Sequence, residues 1–179
     1  MSKFSKKKYF KLGILGGSFD PPHKGHLYIS KVALKKLKLN KIIWLITKRN
    51  PLKPKPYLNI KTRKSLAKKI VSKEKKIFIK FLDNKVKSSN TYKILKYLKN
   101  KSKKRELYFL IGADNLLKFH KWYNWKKIPK IAKIIVFPRK DYSLKKINPV
   151  VLKKLEKKDL IYIKTKKINI SSSLIRKFW

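Results

Sequence analysis

A chain of 179 residues, 42% apolar and without cysteine, suits one domain spanning 1–179 with a sizeable core. It excludes a disulfide framework, a thiolate metal site and a chain too polar to fold. The formal charge of +44, from 52 Lys+Arg against 8 Asp+Glu, taken alone points to a polyanion partner. Arginine, however, occurs only at positions 49, 63, 105, 139 and 176, and the lysines are spread over every segment without forming a patch. Nucleic-acid sites favour arginine for forked and stacked contacts. The excess is therefore expected to be a compositional bias, giving weak non-specific binding at low salt but no specific nucleic acid partner.

The N-terminus is basic, and the apolar run at 12–19 leads straight into Asp20-Pro21-Pro22-His23 without a cleavage-site pattern. A strand is expected there rather than a secretion signal. No apolar run approaches bilayer length, so no membrane partner and a cytoplasmic location are expected. Residues 9–16 (YFKLGILG) have the pattern of a first strand. From 24 to 38, Leu27, Ile29, Val32, Ala33, Leu34 and Leu37 recur at helical spacing. Residues 41–47 (KIIWLIT) predict a second buried strand. Residues 48–57 (KRNPLKPKPY) predict a loop, because Pro51, Pro54 and Pro56 exclude helix. A helix over 60–72, a strand over 76–82 and a helix over 90–99 follow, the last with Asn90 or Ser89 placed to cap it. Strands are expected at 106–111, stopped by Gly112, and at 133–137, stopped by Pro138. A short helix at 148–157, a late strand at 160–164 and a C-terminal helix at 172–178 complete the chain.

The strands are apolar throughout, as when helices cover both faces of a parallel sheet. The expected fold is a doubly wound α/β domain with a mainly parallel sheet of five to six strands. Ligands in such sheets bind beyond the C-terminal strand ends. The unusual residues all fall there: GGSFDPPHKGH after the first strand, the proline loop after the second, SSNT after the third, GADN after the fourth and FPR after the fifth.

In GGSFDPPHKGH, Gly16 and Gly17 let backbone approach a phosphate and expose N–H donors. The helix that begins just after His23 points its positive end at the same place. His23 and His26, three apart on its first turn, can face one ligand and stabilise charge building on phosphate oxygens. Two helix-capping histidines are the alternative. A metal pair is the weaker one, with only Asp20 nearby, so no protein metal site is expected. Ser171, Ser172 and Ser173 precede a short helix where a serine cap and free N–H groups can hold phosphate, and Arg176 can fork onto triphosphate oxygens. Asp114 can bond nucleotide hydroxyls or amides, or cap the helix it begins. Trp122, Tyr123 and Trp125 form an aromatic cluster of the kind more often found in a core. Lys53 and Arg63 either reach phosphate or only line the loop.

The string GxFDPPHxGH resembles the signature of the HxGH nucleotidyltransferase superfamily. Within it the chain is similar, over nearly its whole length, to the bacterial nicotinate-nucleotide adenylyltransferase family. NPLKP followed by Arg63, Ser89-Asn90-Thr91 in place of SYT, IGADNLLKFHKWYNW at 111–125, the strand end at Val136 to Arg139, and ISSSLIR at 170–176 carry the resemblance. His120 departs from a proline common there and is given no role. The resemblance implies a Rossmann-like fold and adenylyl transfer from ATP to nicotinate mononucleotide, giving nicotinate adenine dinucleotide and pyrophosphate. It implies that His23, His26 and Arg176 are catalytic, with Mg²⁺ held mainly through the ATP phosphates. ATP would meet Gly16, Gly17, Ser18, Phe19, Gly112 and Asp114, together with the two histidines, the serine triplet and Arg176. Trp122 would stack on the pyridine ring, with backbone N–H groups near Thr91 and Tyr123 meeting its carboxylate and Ser89, Lys53 and Arg139 contacting the same nucleotide. Nicotinamide mononucleotide and phosphopantetheine stay open as alternative acceptors, and a basic nucleic-acid-binding protein is the reading from another class. The family usually continues beyond the position of Trp179 as a helical tail. The surface it would cover is expected to be exposed, covered by Phe178 and Trp179, or covered by a second copy in a homo-oligomer.

Overall fold

The computed structural model describes residues 9–50, 52–102, 104–139, 149–155, 159–165 and 170–179. Six strands form the sheet: β1 (Phe10–Gly17), β2 (Lys41–Ile46), β3 (Ile77–Lys80), β4 (Arg105–Gly112), β5 (Lys133–Phe137) and β6 (Leu160–Tyr162). Their order is β3-β2-β1-β4-β5-β6, and every pairing is parallel. This Rossmann order bears out the expected fold, with a sheet that is wholly rather than mainly parallel.

Strand alternation divides the core in two. Leu107, Phe109 and Ile111 of β4 join the cluster built on one face, and Tyr108 and Leu110 join the other. Helices α1 (Lys24–Lys36) and α2 (Ile60–Ile70) cover the second face through Ala33 and Ala67. The first face is covered in chain order by α3 (Asp83–Val86), α4 (Thr91–Asn100) and α5 (Ala113–Leu117), with Leu82, Val86, Ile94, Leu95 and Leu116 in its cluster. The late helix α6 (Pro149–Lys154) lies inside the expected 148–157, whose residues 148 and 156–157 are outside the described ones. The last element is α7 (Ser172–Arg176).

The chain runs outward from β1 to β3 and returns to β4, so neighbouring β1 and β4 send their connections opposite ways. That switch point opens a crevice at their C-terminal ends. Three details differ from expectation. The short α3 carries no periodic signal. Asn90 occupies the N-cap of α4 but makes no side-chain cap bond, and Ser89 donates to Asp83 Oδ2 (2.5 Å) instead. β1 runs one residue past the expected Gly16, to Gly17, with the two glycines paired with Leu45 and Ile46, and no described glycine has positive φ. Phe178 and Trp179 are 83% and 61% exposed.

Candidate active site

His23 is the N-cap of α1. Its Nδ1 accepts from the Gly25 N–H (3.2 Å), and the His26 Nδ1 accepts from the His23 N–H (3.2 Å). The two imidazoles thus form a reciprocal capping box, their ring centroids 3.8 Å apart. The capping alternative holds, and it serves the chemical one. With both Nδ1 atoms accepting, each neutral ring carries its proton on Nε2, leaving that nitrogen as a donor. Gly25 is required by space: a Cβ there would lie 2.8 Å from His23 Nδ1 and 3.0 Å from Ile170. Burial, then the Arg139 cation, lowers the His23 pKa to about 4. Burial also holds His26 well below the ordinary imidazole value, helped by His23, Arg139 and Lys53. His26 rests on Phe19 (4.7 Å) and Trp44 (5.8 Å). Phe19, expected among the ATP contacts, is 2% exposed, so its side chain supports His26 from beneath.

The other half of the expected clamp docks onto the same turn. The Ser171 Oγ accepts from the Leu174 N–H (3.1 Å) as the N-cap of α7, and the Ser172 Oγ donates to the Pro21 carbonyl (2.8 Å). Arg176 donates to the Asp20 carbonyl and to Ser173 Oγ (3.3 Å), with its guanidinium 5.1 Å from the Tyr57 ring centroid. Ser171, Ser173, Arg176, Lys53 and Arg139 line a cleft of about 780 Å³. Both histidines, Gly16, Gly112, Asp114 and Arg139 line an adjoining cavity of about 120 Å³. Asp114 lies inside the first turn of α5 without capping it. Its Oδ2 accepts from Arg139 Nη1 (2.6 Å), and a side chain at Gly112 would collide with its Oδ1. Arg139, expected beside the acceptor nucleotide, therefore sits on the histidine side.

A third cavity, of about 380 Å³, collects Gly17, Ser89, Thr91, Lys53, Trp122 and Tyr123. The aromatic cluster splits by role. Trp125 is core, edge-on to Phe119 (6.0 Å), whereas Trp122 is half-buried against Phe109 and Phe119 with a face in the cavity. Tyr123 is half exposed, beneath Lys93 Nζ (5.6 Å).

Buried charged residues hold these loops. Arg63 is 2% exposed and donates to the carbonyls of Leu58 (2.9 Å), Ser18 (2.6 Å) and Thr47 (2.8 Å), so it braces loops and does not reach into the cleft. Asp83 Oδ2 accepts from Thr47 Oγ1 (2.9 Å), the Lys48 N–H (2.7 Å) and Ser89. Asp20 accepts from the Tyr57 and Leu58 N–H groups, each at 2.9 Å. Sequence reasoning gave Asp83 no role and saw Asp20 only as a weak metal ligand. Their signal was scarcity, since a carboxylate in a chain with 8 acidic residues is as informative as an arginine.

The Cytidylyltransferase-like family model matches residues 14–178. A probable nicotinate-nucleotide adenylyltransferase of Pelagibacter ubique is 50% identical over 171 residues, 96% of this chain and 94% of that protein. One from Clostridium tetani is 35% identical, covering 93% and 85%. The chain belongs to the nicotinate-nucleotide adenylyltransferase family. The Plasmodium falciparum nicotinic acid mononucleotide adenylyltransferase, solved in complex with NaAD, superposes with a TM-score of 0.75 at 25% identity over 94% of this chain and 83% of that one.

For a member of this family the neutral histidine pair has a consequence for acid stability. Folding lowers the imidazole pKa from the ordinary 6.5, so between pH 6.5 and about 4 the unfolded chain binds more protons than the folded one. Stability therefore falls as pH drops through that window. The melting temperature of the wild type should decline more steeply there than that of a His23→Gln/His26→Gln variant. Parallel declines in a thermal-melt series would acquit the two rings.

Proposed function

We propose that the three adjoining cavities divide one reaction between them: transfer of the adenylyl group of ATP to the phosphate of nicotinate mononucleotide, releasing pyrophosphate. ATP occupies the cleft between the histidine pair and α7, and nicotinate mononucleotide the Trp122 cavity. The observation that carries this is the capping box, which leaves two neutral Nε2–H donors on rings that share a cavity wall with Arg139.

The acceptor phosphate is already an anion, so the reaction needs no general base. The described carboxylates nearby agree, being engaged elsewhere: Asp20 by backbone N–H groups, Asp83 by Thr47, Lys48 and Ser89, Asp114 by Arg139. Rate comes from positioning and from stabilising charge on the α-phosphate and the departing pyrophosphate, by His23, His26 and Arg176. Uncharged imidazole donors serve this without repelling the neighbouring arginines. No three His, Asp or Glu side chains converge among the described residues. Mg²⁺ would therefore be carried on triphosphate oxygens and water, where it neutralises phosphate charge. No helix among the described residues is long and apolar enough to cross a membrane.

Incubation with ATP and, separately, nicotinate mononucleotide, nicotinamide mononucleotide and phosphopantetheine tests the reading through pyrophosphate release. Release with the nicotinate compound is expected to dominate, and preference for either other acceptor would reassign the third cavity. Trp122→Ala is expected to raise the KM for nicotinate mononucleotide by about tenfold, the scale of a lost aromatic stack, with the KM for ATP unchanged. Equal effects on both substrates would make Trp122 a core residue only.

A further inference from the structure

We infer that Asn115 holds the two reacting phosphates against each other, a role that rests on the adenylyl-transfer reading above. Asn115 is the one described residue that lines all three cavities. It is half-buried on α5, and among the described residues its side-chain amide makes no hydrogen bond. An amide in a cavity wall needs a partner from solvent or ligand.

The new bond joins the acceptor phosphate to the α-phosphate of ATP. Those groups must meet where the Trp122 cavity opens onto the histidine side. The other polar side chains on shared walls include the charged Lys53, Asp114 and Arg139. Asp114 and Arg139 already neutralise each other (2.6 Å). Asn115 offers two N–H donors and no charge. One donor to a non-bridging oxygen of each phosphate holds two like-charged groups at reacting distance. This demand arises only with both substrates bound, so its loss falls on kcat rather than on affinity for either.

The test measures pyrophosphate release by wild type, Asn115→Ala, Asn115→Leu and Asn115→Asp, with melting temperatures and equilibrium binding of each substrate alone. Asn115→Ala is expected to lose about 10- to 30-fold in kcat, as for a hydrogen bond to a charged group. Both KM values and both binary affinities should stay within about threefold. Asn115→Asp should lose more, since a carboxylate cannot donate and repels both phosphates. Asn115→Leu, similar in bulk but without donors, decides the matter if the alanine variant melts early. Wild-type turnover in that variant overturns the role, as does a loss that appears wholly as one substrate's KM. A wild type that releases no pyrophosphate with this substrate pair overturns the reaction itself, and the role with it.

Discussion

Replacing His26 with alanine should lower kcat by about 10²- to 10³-fold, the range for removing one preorganised donor from a developing charge, while the KM for ATP changes only a few-fold. The expectation rests on how the ring is held. Its Nδ1 is occupied by the His23 N–H, its faces lie against Phe19 and Trp44, and its Nε2 is left for ligand. A donor fixed this firmly needs no reorganisation when charge moves toward the leaving pyrophosphate. The structural cost of the substitution is small by comparison. Losing a capping interaction is worth about 1 kcal/mol, a melting shift of a few degrees in a chain of this size. His26→Gln keeps an Nε2 donor and, at the N3 position of a capping box, an acceptor for the His23 N–H, while giving up the ring. It should recover part of the lost kcat and most of the lost capping. An alanine variant with unchanged kcat would leave His26 as a helix cap and nothing more.

The local parts of this site were legible in the sequence because their partners are close in the chain. His23, Gly25 and His26 cap one another within four residues, and Ser171 caps the helix it precedes. The sheet was equally legible, since its central strands are buried and rich in apolar residues, and most strands end in a glycine, a proline or a polar loop. What escaped depends on distance. Arg63 meets Ser18 and Thr47 across 45 and 16 positions, and Asp83 meets Thr47 across 36. No spacing rule links such residues, so the sequence left Arg63 between a phosphate contact and a loop brace. The glycines act in different ways. Gly16 and Gly17 end β1 and border the Trp122 cavity. Gly25 and Gly112 matter because His23 Nδ1 and Asp114 Oδ1 fill the space a side chain would take. Arg139 shows the same limit. Its place at a strand end was evident, but only the fold pairs it with Asp114 on the histidine side of the cleft.

Arg63→Ala should be strongly destabilising, at about 3–5 kcal/mol and roughly 10 °C of melting temperature. Three part-buried carbonyls would lose their donor, each at a cost of up to about 1–3 kcal/mol, and the space of a fully buried side chain would be vacated. These carbonyls belong to the turn after β1, the end of β2 and the residue that follows the proline loop, so one guanidinium ties three segments together beside the cavities. Arg63→Met fills much of the volume without restoring any donor and should remain within about 1–2 kcal/mol of the alanine variant, because the unpaired carbonyls dominate. Arg63→Lys can reach one carbonyl but not fork onto three, and should fall between. The same loosening should raise both KM values together, since Ser18 and the proline loop border both the α7 cleft and the Trp122 cavity, the proposed seats of ATP and acceptor. A melting temperature within about 2 °C of wild type in Arg63→Ala would show that water satisfies those carbonyls. The brace would then be dispensable. A normal melting temperature with a rise confined to the KM for ATP would instead return Arg63 to the role of a phosphate contact.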